Sequence, residues 1–572
     1  MTELVFALSV VFVTAGALLL VANHFGLSPI PFYIIAGLLA GGSGVIEERA
    51  LIELAQWGIA FLVFVFAIRI DLGDVQTVLR DAEIAAATQL LVVGTLAVAV
   101  GYLFGVVFDF EYPLRNALYF GAAATLSSTL VGSGVLEVEI RNNLVHGRLA
   151  SSIHFFDDVV AIAAILVLSA DVLTDAQVVT SQIGYGVIFV LAGLLFYRHG
   201  FPLLYRIAEG DGELLLMGSI SILIGFIAAA EVVGLSIVVG AFAAGIAIRA
   251  EGARTLAVRN GIESIRDFFV AIFFVTLGAL VQIPSVQALV LAAVLFVLVV
   301  LFNPLVHTLT FLYEGYDART SFLASSSLNQ VSELSLVIAI QAWLLGTISG
   351  DLFDAIILTA ALTMILTVVT RRYEDFLYRT VVSRLFGGRH TRHVDEHSRV
   401  DDDLTDHVVI VGYGRLGRQL TRKLDALDVR SVAVENDPVL RADLRTNCRN
   451  YVFGDAMAEY PMQRARVEDA RLVVSTVDHR AVSETLLELS TDADLILRAG
   501  SSPEARELLD AGATFVAVPN VLAGDRLVEN VERIVADERE AAALRDEHLE
   551  ILRSLEREEF DTRFGRGSDS TR

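Results

Sequence analysis

SSIHFFDDVVAI, residues 151–162, sets Asp157 and Asp158 side by side in the middle of an apolar stretch. From Arg148 to Asp171 the other notable polar residues are Ser151, Ser152, His154 and Ser169. Such a run can cross the ~30 Å hydrocarbon core of a bilayer as one helix, and at ~1.5 Å rise per residue the pair falls near its midplane. A charged side chain there costs on the order of 3 kcal/mol. Two persist only if they are used, or if they lock neighbouring helices as a static buried pair. Adjacent helical residues point about 100° apart, so one carboxylate can face an ion path while the other meets a neighbouring helix. A carboxylate shielded from water is neutralised by a proton or by a cation, and competition between the two is the chemistry that coupled exchange requires.

Outward from this stretch, apolar windows of similar length recur between Leu4 and Thr370. The chain has 572 residues, 55% of them hydrophobic, with a mean hydropathy of +0.62, which excludes a wholly soluble protein. Apolar runs between polar punctuation predict about thirteen spans, beginning near residues 4, 30, 52, 83, 116, 149, 178, 213, 235, 267, 285, 321 and 352. With a cytoplasmic C-terminus, the inside loops and helix ends then hold Arg69, Arg80, Arg141, Arg148, Arg198, Arg206, Arg249, Arg254, Arg259, Arg266 and Arg319, against Arg49 and Arg115 outside. This positive-inside bias supports an N-terminus outside and a cytoplasmic C-terminal domain. The single cysteine, Cys448, excludes an intramolecular disulfide framework. A formal net charge of -24, with arginine at every basic position except Lys423, resembles proteins of salt-loving microbes, haloarchaea in particular, and argues against nucleic acid as a partner.

Two other membrane stretches are polar where they should be apolar. ALYFGAAATLSSTLVGSGVLEVE, residues 117–139, places Thr125, Ser127, Ser128 and Thr129 in mid-membrane, with Gly132 and Gly134 after them. That composition permits an interrupted helix whose freed carbonyls and hydroxyls ligate a cation, although small residues also serve helix packing. SSSLNQVSELSLV, residues 325–337, carries Asn329, Gln330 and Glu333, in the second half of the chain where an inverted repeat would put its counterpart. Glu333 is either an ion-path carboxylate or a capping one.

After Thr370 the character changes. Residues 371–404 are charged and read as a cytoplasmic linker that starts as an interfacial helix. From Asp406, short β-rich runs at 408, 431, 451, 472, 495 and 515 alternate with amphipathic helical patterns, which predicts a doubly wound parallel sheet. VVIVGYGRLGRQL, residues 408–420, has Gly412, Gly414 and Gly417 in G-x-G-x-x-G spacing after a strand, with Arg415 and Leu416 opening the helix and Glu435 ending the second strand. Such spacing suits a tight turn, close approach of a phosphate, helix packing and a carboxylate for ribose hydroxyls. Glu435 would repel a 2′-phosphate, which favours NAD(H) or an adenine nucleotide over NADP. The expected division is a membrane domain at 1–370, a linker at 371–405, a Rossmann-like domain at 406–530, and a helix with a disordered tail at 531–572.

TLSSTLVGSGVLEVEIRNNLVHGRLASSIHFFDDVVAI resembles the core of the monovalent cation:proton antiporter superfamily, in its Kef-like branch. NHFGLSPIPFYIIAGLLAG at 23, LAQWGIAFLVFVFAIRIDL at 54, GLSIVVGAFAAGIAIR at 234 and FFVAIFFVTLGALV at 268 match as well. The resemblance implies an elevator-type transporter with inverted repeats and two crossed, partly unwound helices. Kef-type potassium systems pair Gln with Asp at the matching positions, and electrogenic sodium/proton antiporters pair Asp with Asp, as here. Asp158 is thereby the expected carrier of Na+ or K+ and of H+, with Asp157 its auxiliary partner. Many members place a basic residue on the helix before the second unwound one, where it pairs with the first aspartate; here that helix is LFVLVVLFNPLVHTLTFL at 295–312, with Asn303 roughly at that position. Asn303 is therefore a candidate to hydrogen-bond a protonated Asp157.

YVFGDA at 451 and RLVVSTVDH at 471 resemble the TrkA-N, or RCK, regulatory module of potassium transporters and channels, with Asp455, Ala456 and Thr476 on the adenine and ribose side. The resemblance implies a regulatory nucleotide rather than a redox cofactor, no enzymatic activity, and a homodimer formed through both parts. A ligand-gated potassium efflux channel is the alternative, though no TVGYG-like filter occurs in the membrane half.

Overall fold

The computed structural model describes residues 2–25, 27–41, 48–68, 83–141, 144–168, 176–208, 211–248, 256–385, 394–489, 491–536, 540–550 and 553. Arg69, Arg80, Arg249 and Arg254 of the loop-charge reading, part of the expected linker, and the tail from residue 554 lie outside the described residues. The chain divides into two compact units, Met1–His390 and Thr391–Arg572.

Every regular element described in the first unit is helical, apart from one antiparallel bridge. Six helices among the described residues are long and apolar enough to cross a membrane: Arg49–Ile68, Glu83–Val107, Gly184–Ile207, Gly212–Val232, Val286–Glu314 and Gly350–Arg372. The aspartate pair sits mid-way along a further helix, Val145–Leu168. Lipid offers no hydrophobic drive between helices, so close contact rests on small residues. Helix Pro29–Gly41 meets helix Leu256–Leu280 in this way: a Cβ on Gly37 would run into the Val275 carbonyl, and one on Gly278 into the Ile34 carbonyl.

Two helices are interrupted. The first runs Pro113–Thr125 and resumes at Thr129–Val135; the second runs Ala318–Ser326 and resumes at Glu333–Leu344. Each resumption has a serine N-cap: Ser128 accepts from Val131 N, and Ser332 from Leu334 N. Serine hydroxyls offer the backbone an alternative to continuing the helix, which is why serine favours such starts. The two breaks cross, and Ser127 pairs with Val331 in the antiparallel bridge.

The second unit is a six-stranded sheet in the order β3-β2-β1-β4-β5-β6, parallel throughout. The strands are β1 His407–Val411, β2 Ser431–Glu435, β3 Asn450–Phe453, β4 Ala470–Ser475, β5 Asp494–Arg498 and β6 Phe515–Ala517, at the six places read from sequence. β1 is buried at every position, as a central parallel strand covered on both faces must be. Val394, Val400 and Leu404, ahead of β1, belong to the same core. Arg399 bridges to Tyr451 on the edge strand β3, covering backbone groups that an open edge would leave unpaired.

Candidate ion-binding site and nucleotide-binding turn

Breaking a helix frees carbonyls and amides, and at this crossing they are largely taken up across the two breaks. Ser332 N donates to Leu126 O at 3.0 Å. Gln330, fully buried, donates through Nε2 to Ser128 O at 3.0 Å and to Ser327 O at 2.9 Å. Its Oε1 accepts from Thr367 Oγ1 at 3.1 Å, and the same hydroxyl reaches Asn329 Oδ1 at 2.7 Å. Glu333 Oε1 accepts from Leu130 N at 3.1 Å. A carboxylate opening one resumed helix thus caps the start of the other, where the helix dipole favours negative charge.

The aspartates meet the first break. Asp157 Oδ2 accepts from Ser127 N at 2.8 Å and from Ser127 Oγ at 2.5 Å, and Gln89 Nε2 lies 3.4 Å from the same oxygen. Asp158 Oδ2 accepts from Thr129 Oγ1 at 2.7 Å. Both aspartates are buried. The structure therefore brings together Asp157, Asp158, Ser127, Ser128, Thr129, Gln330 and Glu333. Thr125 contributes its backbone, because its carbonyl accepts from Gln89 Nε2, while its hydroxyl turns back to Gly121 O at 2.7 Å.

Asn303 is buried at the start of helix Asn303–Glu314, and its Oδ1 has no hydrogen-bond partner among the described residues. The side-chain amide that reaches Asp157 is that of Gln89. Sequence reasoning missed this residue, although AAATQLLVVG at 85–94 carries the signal of an amide side chain inside an apolar span, next to Thr88. His154 was passed over similarly. It is buried one turn before Asp158, and a Cβ on Gly132 would strike both its ring and Gln330 Nε2.

In the α/β unit, β1 ends in a turn whose Gly412 has φ +89°, a left-handed conformation that favours glycine. A Cβ on Gly417 would run into the Gly412 carbonyl, whereas one on Gly414 would face open space. Helix Arg415–Ala426 starts there without a side-chain cap, so its first amides are available to an anion. Thr476 Oγ1 anchors the turn by donating to Val411 O and Gly412 O, each at 3.1 Å. Glu435 accepts from Tyr413 N at 2.6 Å, Asn436 N at 2.8 Å and Asp437 N at 2.9 Å. Burial pushes its carboxyl up, against the pull of those donors. Asp455 caps the turn after β3, accepting from Met457 N at 3.0 Å, and Ala456 is buried beside it. Arg415 and Leu416 open the helix, Leu416 exposed. An open Gly414, an uncapped helix start and an acidic residue ending β2 fit a nucleotide's phosphates and ribose.

The family described as "Sodium/hydrogen exchanger, transmembrane" matches residues 8–372, and the TrkA-N domain matches residues 408–519. The chain is similar to a putative K(+) efflux antiporter, KefB, of Alkalimonas amylolytica, at 28% identity over 531 residues, 87% of this chain and 77% of that one. It is also similar to a putative cation/proton antiporter, YbaL, of Escherichia coli strain K12, at 26% identity over 529 residues, 88% of this chain and 93% of that one. The solved sodium proton antiporter MjNhaP1 from Methanocaldococcus jannaschii matches 67% of this chain and 99% of its own, at 16% identity and a TM-score of 0.49.

Proposed function

Because the chain belongs to the sodium/hydrogen exchanger family and carries a TrkA-N domain, we propose that it is a secondary antiporter exchanging Na+ or K+ for H+ across the cell membrane. The observation that carries this reading is the aspartate pair at the crossing of two interrupted helices, with Asp157 bound to Ser127 and Asp158 to Thr129. Asp157 is the anchored member, held by a backbone amide and a hydroxyl of the break. Asp158 is the carrier. A bare carboxylate is costly inside a bilayer, so a carrier crosses neutralised by a proton or by a cation, and that requirement couples the two fluxes. Alternating access is of the elevator type, the crossed helices moving as one body around the site.

Regulation comes from NAD(H) or an adenine nucleotide at the Gly412–Gly417 turn, facing the cytoplasm, with the N-terminus outside. Two contacts within the first unit support a mechanical route. Arg371, ending helix Gly350–Arg372, pairs with Glu139 of the first interrupted helix's extension and with Glu374 of the segment after it. Tyr378 stacks on Phe322 of the second interrupted helix at 6.5 Å. A homodimer is supported by helix Pro519–Ala536, whose Leu527, Val531 and Val535 form an exposed apolar stripe.

The test is proton flux in proteoliposomes under Na+ or K+ gradients, with and without valinomycin. Asp158→Asn should abolish cation-dependent flux, and intact exchange in that variant would remove Asp158 as carrier.

A further inference from the structure

We propose that Gln89 is a positioning residue and a further ligand of the cation site, its amide carbonyl supplying a neutral oxygen to the transported alkali cation. The inference rests on reading the helix crossing as the ion site of an antiporter.

Gln89 opens a π-helical turn, Gln89–Gly94, inside the long helix Glu83–Val107. Such turns displace one residue from the α-helical ladder and recur at functional sites. The side chain is fully buried. Its Nε2 donates to the carbonyl of Thr125, the last residue before the first break, and lies 3.4 Å from Asp157 Oδ2. Both neighbours are acceptors, which settles the end of the amide that carries the hydrogens. The other end, Oε1, then has no hydrogen-bond partner among the described residues, and neither has Asp157 Oδ1 on the side chain that Gln89 meets.

A buried carbonyl oxygen without a donor is unfavourable, and coordination of an alkali cation is one way to satisfy it, as carbonyl-lined filters illustrate. A second amide lies on an adjacent element: helix Asn303–Glu314 packs against the same π-helical turn, and Asn303 Oδ1 is likewise buried without a partner among the described residues. On the proposal, carbonyl oxygens of this kind would add neutral donors to the carboxylates without adding charge, which suits a monovalent cation.

The experiment compares the full chain with Gln89→Leu and Gln89→Asn in proteoliposomes, measuring KM and kcat separately for Na+ and K+. Thermal stabilisation of the purified protein by NaCl or KCl, against choline chloride, gives a readout independent of turnover. Gln89→Leu should raise the cation KM roughly tenfold, the scale of one lost interaction with a charged group, leave kcat largely unchanged and shrink the salt-induced shift. Gln89→Asn, with the same groups on a shorter arm, should fall between. An unchanged KM with a lowered kcat, or an undiminished shift, would overturn the assignment and leave Gln89 as a cap for Thr125. If Gln89→Leu does not fold, Gln89→Asn decides by the same criteria. Asp158→Asn separates the two levels: exchange intact there removes the ion-site reading itself, whereas exchange lost there with native KM in the Gln89 variants removes only the role of Gln89.

Discussion

Gln330→Leu tests whether the helix crossing is held by the hydrogen bonds that define it. The substitution keeps nearly the same volume, so it opens little cavity and acts through polarity. It removes donors from Ser128 O and Ser327 O, at 3.0 and 2.9 Å, and an acceptor from Thr367 Oγ1 at 3.1 Å. Thr367 loses little, because Asn329 Oδ1 at 2.7 Å and Thr363 O at 2.8 Å remain, and Ser128 O still accepts from Gly132 N at 2.9 Å. The main loss is at Ser327 O, with a smaller one at Ser128 O. A buried group stripped of its partner costs about 1–3 kcal/mol and a typical net hydrogen bond about 1 kcal/mol, so the whole change amounts to about 2–4 kcal/mol. Thermal unfolding of the purified full chain should begin a few degrees lower, and cation-driven proton flux should fall with it, because one of the ties between the two breaks, Gln330 Nε2 to Ser128 O, is lost while Ser332 N to Leu126 O and Leu130 N to Glu333 remain. Gln330→Glu, which retains an acceptor for Thr367 but only weakly replaces the donors, should lie nearer to Gln330→Leu than to the native chain. Native melting and native flux in Gln330→Leu would refute the view that this side chain holds the crossing.

Two further outcomes concern the α/β unit. Gly417→Val puts side-chain atoms into the Gly412 carbonyl and should weaken nucleotide binding roughly tenfold or more, given the cost of overpacking, while exchange without nucleotide persists; calorimetry with NADH, ATP and AMP measures it. Burial pushes the Cys448 thiol up to about 11, so at pH 8 only about a thousandth is thiolate, the reactive form. Iodoacetamide should therefore label this single cysteine quickly in denaturant and slowly in the folded chain, the folded rate climbing as pH rises toward 11. Equal rates at pH 8, read by mass spectrometry, would contradict its burial.

Much of the architecture was legible because its signals are local. The G-x-G-x-x-G turn lies within six residues, and the strands of the sheet announce themselves as short apolar runs between helical patterns. Asp157 and Asp158 stood out because a bilayer makes charge expensive wherever it occurs. The stretch at 117–139 marked itself as breakable for a comparable reason, since in an apolar span serine offers the backbone another partner, and the polar stretch at 325–337 stood where an inverted repeat would put its counterpart.

Which groups meet at those breaks was not legible. Leu130 N and Glu333 are 203 residues apart in the chain, and nothing local to either says that one caps the other. Asn303 drew attention because it stands where a charged residue would be expected, yet the amide at Asp157 belongs to Gln89, an amide side chain in an otherwise apolar run. By itself the sequence determined that the chain carries membrane-length apolar stretches, that a carboxylate pair stands inside one of them, and that a dinucleotide-type turn follows. Only the tertiary structure decided which donors satisfy the freed backbone, because a break can be filled by any buried polar group that packing brings within hydrogen-bonding distance.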